Sequence, residues 1–400
     1  MKMIKFTVSL SKYLLFMLTL FAMKNSFSHE PIKVGAEQVA RYLPLIQGKK
    51  VALVVNQTSR AGNQHLVDLL LAKKIHIQAV FAPEHGFRGD RDAGEKFTST
   101  IDTKTGIPLI SLYGKQRKPT AASLKNIDVI IFDIQDVGVR FYTYISSMHY
   151  VMEAALDAGI PFIILDRPNP NGAFVDGPIL EEAFSSFVGL HKIPLLHGMT
   201  VGELAKMISG EGWLRRTTQL GFETRSPLDL IVIPVEHYQR DMPYHLPIKP
   251  SPNLPNNQAI ALYPSLGFFE ATPVSIGRGT LYPFQVIGHH NIFQGNFSFT
   301  PLSTPGAALK PKLINKILFG QDLRKSSVAG INLSYLMTWY SLFKAQEVEF
   351  FTHPNFMDKL SGTDKLRKAI IAGQSEQQIK QSWQQGLNNF RKLSKPYLLY

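Results

Sequence analysis

The chain has 400 residues, 44% hydrophobic and 18% charged, which is a globular composition and excludes a disordered chain. Its length suits two or three domains and a core that needs no staples. It has no cysteine, which excludes a disulfide scaffold, thiolate metal sites, Fe–S clusters and cysteine nucleophiles, and its net charge of +13 favours an anionic partner.

The first 28 residues read as a secretory signal. Lys2, Lys5 and Lys12 precede an apolar run from Tyr13 to Met23, and Ser26-Phe27-Ser28 offers small residues for cleavage. The run is short for a membrane span, although an uncleaved N-terminal anchor is the competing reading. Without cysteine there is no lipobox anchor, and no other apolar stretch is long enough to span, so no stable membrane anchor is expected. Cleavage removes four lysines and no acid, leaving +9. A basic exported protein in the periplasm or outside the cell suits a wall polymer or an anionic lipid. Nucleic acid is not favoured, because no lysine-rich tract is present.

Strands and helices alternate through the first half. Lys50–Asn56, His76–Ala82, Asp128–Ile134, Pro161–Asp166 and Leu230–Val235 are short apolar runs that predict strands. Gln64–Lys74 and Tyr142–Ala158 have helical spacing. Thr200 and Glu203 stand at capping-box spacing ahead of a third helix. Near-continuous apolar strands between helices predict a mostly parallel sheet covered on both faces. The proline-rich stretch 243–255 cannot be regular helix and predicts an ordered wall or a linker. The expected organisation is therefore an α/β domain over 29–255 and a smaller α+β domain over 256–400. In the latter, Val286–Ile292 and Asn296–Thr300 predict strands, and Ile331–Phe343 and Glu376–Lys392 predict helices.

Each early strand ends in a polar cluster, and parallel strands bring such clusters to one sheet edge, where open α/β sheets bind ligands. The first strand ends at Asn56. The second runs into Pro83-Glu84-His85-Gly86, where Glu84 on a rigid turn could be a general acid or base, or only a capping acid. His85 could tune Glu84, bind substrate or ligate a metal. Asp90, Asp92 and Glu95 follow among arginines, without EF-hand spacing. The third strand ends at Asp133 and Asp136, with Arg140 and Tyr142 beyond. Paired carboxylates suit glycoside chemistry and aromatic rings suit sugar faces, but Asp136 and Arg140 could equally form a scaffold ion pair. The fourth ends at Arg167 and Asn169, whose loop offers either a fork for a substrate carboxylate or plain turn chemistry. In the second half, Glu270 and the Gly277-Arg278-Gly279 turn stand out, Arg278 being another candidate for a carboxylate. No dinucleotide, P-loop, zincin or nucleophile-elbow motif is present, and neither a cofactor nor a metal is expected.

The stretches VALVVNQTS, FAPEHGFRGDRDAGE, DVIIFDIQDVGVRFYTYISSM, ILDRPNPNG, HGMTVGELA, PSPNLPN and SIGRGTLYPF together resemble the exo-β-N-acetylmuramidases of the NamZ type, over roughly 34–400. The resemblance implies a Rossmann-like domain, a smaller C-terminal domain, and a cleft between them. It implies release of N-acetylmuramic acid from non-reducing ends of peptidoglycan fragments, with Glu84 as the leading catalytic candidate. Asp136, Glu95 and Glu270 compete to be the second group. Asn56, His85, Arg140, Tyr142, Arg167, Asn169 and Arg278 are the expected substrate contacts. The alternatives are a non-catalytic periplasmic binding protein for muropeptides or acidic sugars, and an esterase or amidase of the same polymer.

Overall fold

The structure is a computed structural model that describes residues 30–83, 100–114, 116–218, 221–223 and 228–400. Glu84, His85, Asp90, Asp92 and Glu95 lie outside the described residues, as do residues 1–29.

Seven strands build the central sheet: β1 (Lys50–Val55), β2 (His76–Ala82), β3 (Thr100–Ile101), β4 (Pro108–Ser111), β5 (Val129–Asp133), β6 (Phe162–Leu165) and β7 (Leu230–Ile233). Their spatial order is β7-β6-β5-β1-β2-β4-β3, and every neighbouring pair is parallel except β3 with β4. The chain starts at the middle strand β1, moves one way to β2 and β4, then returns to β5 on the other side of β1. The order therefore reverses between β1 and β5.

Both faces are covered, and the strand residues sort between them with a period of two. Ala52, Val54, Ile130, Phe132, Phe162 and Ile164 point into one core. Val51, Leu53, Val55, Val129, Ile131, Ile163 and Leu165 point into the other. The second core is closed by α1 (Val39–Ile46) and α2 (Leu66–Ala72). The first is closed by α3 (Tyr144–Ala158) and α4 (Val201–Gly210), and it runs on without a break into the second half of the chain. α3 stops at Gly159, whose φ of 66° supplies the left-handed turn ahead of Pro161. α4 begins with the predicted capping box of Thr200 and Glu203.

The second half contains α5 (Asn257–Leu266), a three-stranded antiparallel sheet, and four more helices. The small sheet orders β8 (Val286–His289), β10 (Leu318–Asp322) and β9 (Phe297–Phe299) with β10 in the middle. The helices are α6 (Ser334–Ala345), α7 (Pro354–Ser361), α8 (Lys365–Ile371) and α9 (Glu376–Ser394). Their Trp339, Phe343 and Trp383 join the first core. The proline-rich stretch is an ordered wall: Pro250 O accepts from Gln57 Nε2 (3.0 Å) and from Tyr142 Oη (2.8 Å).

Candidate active site

The reversal between β1 and β5 opens a crevice at the carboxyl edge of the sheet, the position where such sheets take ligands. The residues that leave β1 form a tight polar turn. Asn56 Oδ1 accepts from Thr58 N (2.9 Å) and Thr58 Oγ1 (2.6 Å), and Ser59 Oγ accepts from Asn56 N (2.9 Å). The turn is sewn to β5: Ser59 Oγ donates to Asp133 O, and Gln135 N donates to Thr58 Oγ1 (3.0 Å). Gln135 Nε2 then reaches Pro168 O beyond β6 (2.7 Å). Asn56 Nδ2 is buried with no hydrogen-bond partner among the described residues.

Asp133 and Arg167 form a buried fork, Nε to Oδ1 at 2.6 Å and Nη2 to Oδ2 at 3.0 Å. Burial pushes the Asp133 carboxyl up and Arg167 pulls against it. Burial opposes the Arg167 charge, and the Asp133 carboxylate outweighs that. Arg167 also donates to Arg60 O (2.8 Å), so it braces three strand ends.

Asp136 is more exceptional. One oxygen accepts from Gly138 N at 2.6 Å, while Oδ1 is buried without a partner among the described residues. Burial pushes this carboxyl up to about 7. His197 Nε2 faces it at 3.8 Å. His197 Nδ1 accepts from Met199 N (3.2 Å), which leaves the ring proton on Nε2. Burial, with Arg140 and Arg240 nearby, lowers His197 to about 3, so the ring is neutral. Asn169 lies under the same turn, accepting from Asn171 N (2.8 Å) and donating to Met199 O (2.9 Å). It packs so closely on Gly138, at φ 74°, that a Cβ there would stand 2.2 Å from Asn169 Oδ1.

Arg140 does not face the crevice. It is fully buried, and its guanidinium donates to the carbonyls of Pro178 (2.8 Å), Ile193 (2.7 Å), Leu360 (3.4 Å) and Ser361 (2.6 Å). It makes no ion pair with Asp136; it ties the sheet domain to the end of α7, where a Cβ on Gly362 would meet its Nη2 at 2.5 Å. The expectations of a substrate-binding or ion-paired arginine give way here to a clamp on carbonyls.

The other candidates meet along an aromatic run. Tyr263 of α5 lies 6.0 Å from the ring of Tyr142 and 4.9 Å from that of Phe284. Arg278 sits 5.0 Å over Phe284 and donates to Glu270 Oε1 at 2.6 Å. Burial pushes Glu270 up, but Arg278 and Lys312 together hold it below the usual carboxylate range. Tyr142 and Asp136 thus stand at one end of the run, Glu270 and Arg278 at the other. Arg278 keeps 30% of its side chain exposed, against 3% for Arg167.

A polar cleft of about 1120 Å³ opens beside β1, lined by Gln57, Arg60, Asn63 and His65 from the first strand's turn and by Lys104. Pro83, the last described residue before Glu84, ends β2, the strand next to β1. Among the described residues, no three His, Asp or Glu side chains group as metal ligands. The sequence reading did not single out His197, nor Asp166. The latter binds Thr200 Oγ1 (2.7 Å), Gly202 N (2.8 Å) and Tyr400 Oη (2.8 Å), and burial raises it to about 6. The signal for both was their place at a strand end or just ahead of a capping box.

The N-terminal family model of exo-beta-N-acetylmuramidase NamZ matches residues 51–258, and the C-terminal model matches 261–400. The peptidoglycan beta-N-acetylmuramidase NamZ of Bacillus subtilis (strain 168) is 38% identical over 401 residues, covering 94% of each chain. A crystal structure of a DUF1343 family protein from Bacteroides fragilis NCTC 9343 superposes with a TM-score of 0.82 at 46% identity, covering 93% of this chain and 99% of that one. A second from the same organism gives 0.78 at 30%, covering 92% and 99%. The chain belongs to the exo-beta-N-acetylmuramidase NamZ family of glycoside hydrolases.

Proposed function

We propose that this chain releases N-acetylmuramic acid from the non-reducing ends of peptidoglycan fragments, after export into the periplasm or beyond. The observation that carries this reading is the 38% identity along 94% of both chains with a peptidoglycan beta-N-acetylmuramidase. Export rests on the basic, apolar and small-residue segments of residues 1–28.

Glu84 is assigned the general acid, protonating the leaving glycosidic oxygen. Its position directly after Pro83 supports this, because β2 borders the strand at which the sheet order reverses. The two described candidates for the second group differ in charge. Asp136 is raised to about 7 and sits without exposure. Glu270 is held ionised by Arg278 and Lys312 and is partly exposed. A nucleophile or water-activating base must be ionised, so Glu270 suits that step and Asp136 suits holding a proton. Of the three candidate arginines, Arg278 alone has a partly exposed side chain, and it is assigned to the lactyl carboxylate of muramic acid.

The test is product analysis. Residues 29–400 incubated with MurNAc-β-1,4-GlcNAc should yield free MurNAc and GlcNAc by mass spectrometry. Intact disaccharide after incubation with folded protein would remove the reading.

A further inference from the structure

Directly after Arg278 of the Glu270–Arg278 pair, the chain enters a second hollow, which the cleavage chemistry leaves unused. Gly277 and Gly279, both at φ 80°, flank Arg278 and lead the loop beside the small antiparallel sheet. There, Gly279–Tyr282 forms one wall of a concavity of about 580 Å³, β9 forms another, and Arg324 closes it. A Cβ on Gly279 would stand 2.5 Å from Leu302 O, so this loop is pinned against the far rim. The volume is that of a small-molecule site.

Its lining is unusual for a chance surface dent. Three rings line it, Tyr282, Phe297 and Phe299, together with five serine or threonine residues. Phe297 and Phe299 are side by side, 6.0 Å apart and inclined by 30°, because residues two apart on a strand share a face. The Arg324 guanidinium lies 4.2 Å over the Tyr282 ring and 5.6 Å from that of Phe297. It is held in place by Asp322 through bonds of 2.6 to 3.0 Å. Leu281, 83% exposed, projects at the mouth. Between residues 273 and 330 the sequence has six lysines and arginines and one acid, Asp322, which Arg324 already engages.

Aromatic faces take the C–H faces of sugar rings, hydroxyls exchange hydrogen bonds with sugar hydroxyls, and a fixed guanidinium takes carboxylates. We propose that this hollow is a second glycan subsite, which holds a carboxylate-bearing amino-sugar strand at a distance from the sugar being released. The proposal rests on the glycosidase reading for its ligand class. It makes the enzyme prefer longer fragments over disaccharides, because the second domain grips polymer that the disaccharide lacks.

The experiment compares MurNAc-β-1,4-GlcNAc with a MurNAc-terminated hexasaccharide, using the mature chain and a Phe297→Ala/Arg324→Gln variant. The wild type should show the higher kcat/KM on the hexasaccharide. The variant should lose about tenfold on the hexasaccharide and nothing on the disaccharide. Ser303→Glu, at an exposed position lining the hollow, should act the same way by repelling carboxylates without touching the core. Equal losses on both substrates in both variants, or no loss on the hexasaccharide, would overturn the subsite. So would wild-type binding to phosphatidylglycerol vesicles that the variants abolish while hexasaccharide kinetics stay put, since the surface would then serve lipid. Absence of turnover on either substrate would defeat the glycosidase reading instead. Calorimetric binding of the uncleaved hexasaccharide, weakened about tenfold by the same variants, would then still decide the subsite.

Discussion

Asp136 and His197 face each other across 3.8 Å in the buried edge of the sheet, each with a polar atom that no other described residue engages. The acid is held up to about 7 and the imidazole down to about 3, so both are neutral over most of the acid range. An unfolded chain has both charged there, from ordinary values of 3.8 and 6.5.

The pair therefore hides two pH dependences of opposite sign. Asp136 contributes stability that is complete below about pH 4 and is lost as the pH rises through 7. His197 contributes stability that is complete above about pH 6.5 and is lost as the pH falls towards 3. Between pH 4 and 6.5 the folded and unfolded pairs bind the same number of protons, and the slopes cancel. Asp136→Asn should unmask the histidine, giving stability that rises relative to wild type by roughly 1.4 kcal/mol per pH unit. His197→Asn should unmask the acid, with a fall of similar size. Urea titrations from pH 4 to 6.5 measure both. Parallel curves for wild type and the two variants would refute the coupling.

Arg140 is predicted to hold the two halves together without touching substrate. Arg140→Ala strips the donor from the buried carbonyls of Pro178, Leu360 and Ser361, at about 1–3 kcal/mol for each group left unsatisfied, while Ile193 O keeps its bond from Leu180 N. Gly362→Ala should also destabilise, by forcing a Cβ at positive φ into the guanidinium. Both variants should melt early yet keep the wild-type KM at a temperature where they are folded. A raised KM with an unchanged melting temperature would return Arg140 to the substrate.

Asp133→Asn should be costly for a different reason. It strands a buried guanidinium, an effect of about 3–5 kcal/mol. Replacing both partners by Leu and Met should recover most of the loss, as measured by denaturant unfolding. A double variant no more stable than Asp133→Asn would contradict the pairing as the source of the cost.

Arg278→Ala should raise KM for the muramyl disaccharide by about 10–100-fold, the worth of a charged hydrogen bond of ~1.5–3 kcal/mol. The variant should no longer distinguish MurNAc-GlcNAc from GlcNAc-GlcNAc. Retained discrimination would move the lactyl carboxylate to another group.

Much of this was legible in the sequence, for physical reasons. β1, β2, β5 and β6 are apolar runs buried for most of their length, β7 is an apolar run at the sheet edge, and the Thr200–Glu203 box is local chemistry, so all can be read directly. The strand-end clusters that carry Asn56, Asp133, Asp136 and Arg167 follow from parallel pairing alone. α1, β4 and β10 were not read, because short elements carry too few periods to stand out. Arg140 could not be read, because its partners are backbone carbonyls up to 221 residues away, and carbonyls leave no trace in residue type. The pairing of Asp136 with His197 is long-range in the same way. That Glu270 is held below the usual carboxylate range depends on Arg278 and also on Lys312, which reaches the Glu270 turn only through folding.

The most direct test of the catalytic account is a comparison of wild type and Glu84→Gln on MurNAc-β-1,4-GlcNAc, with melting temperature and hexasaccharide binding measured in parallel. The account predicts MurNAc release by the wild type and its loss, by at least about a hundredfold, in a variant that still folds and binds. Undiminished release by a folded Glu84→Gln protein would contradict it.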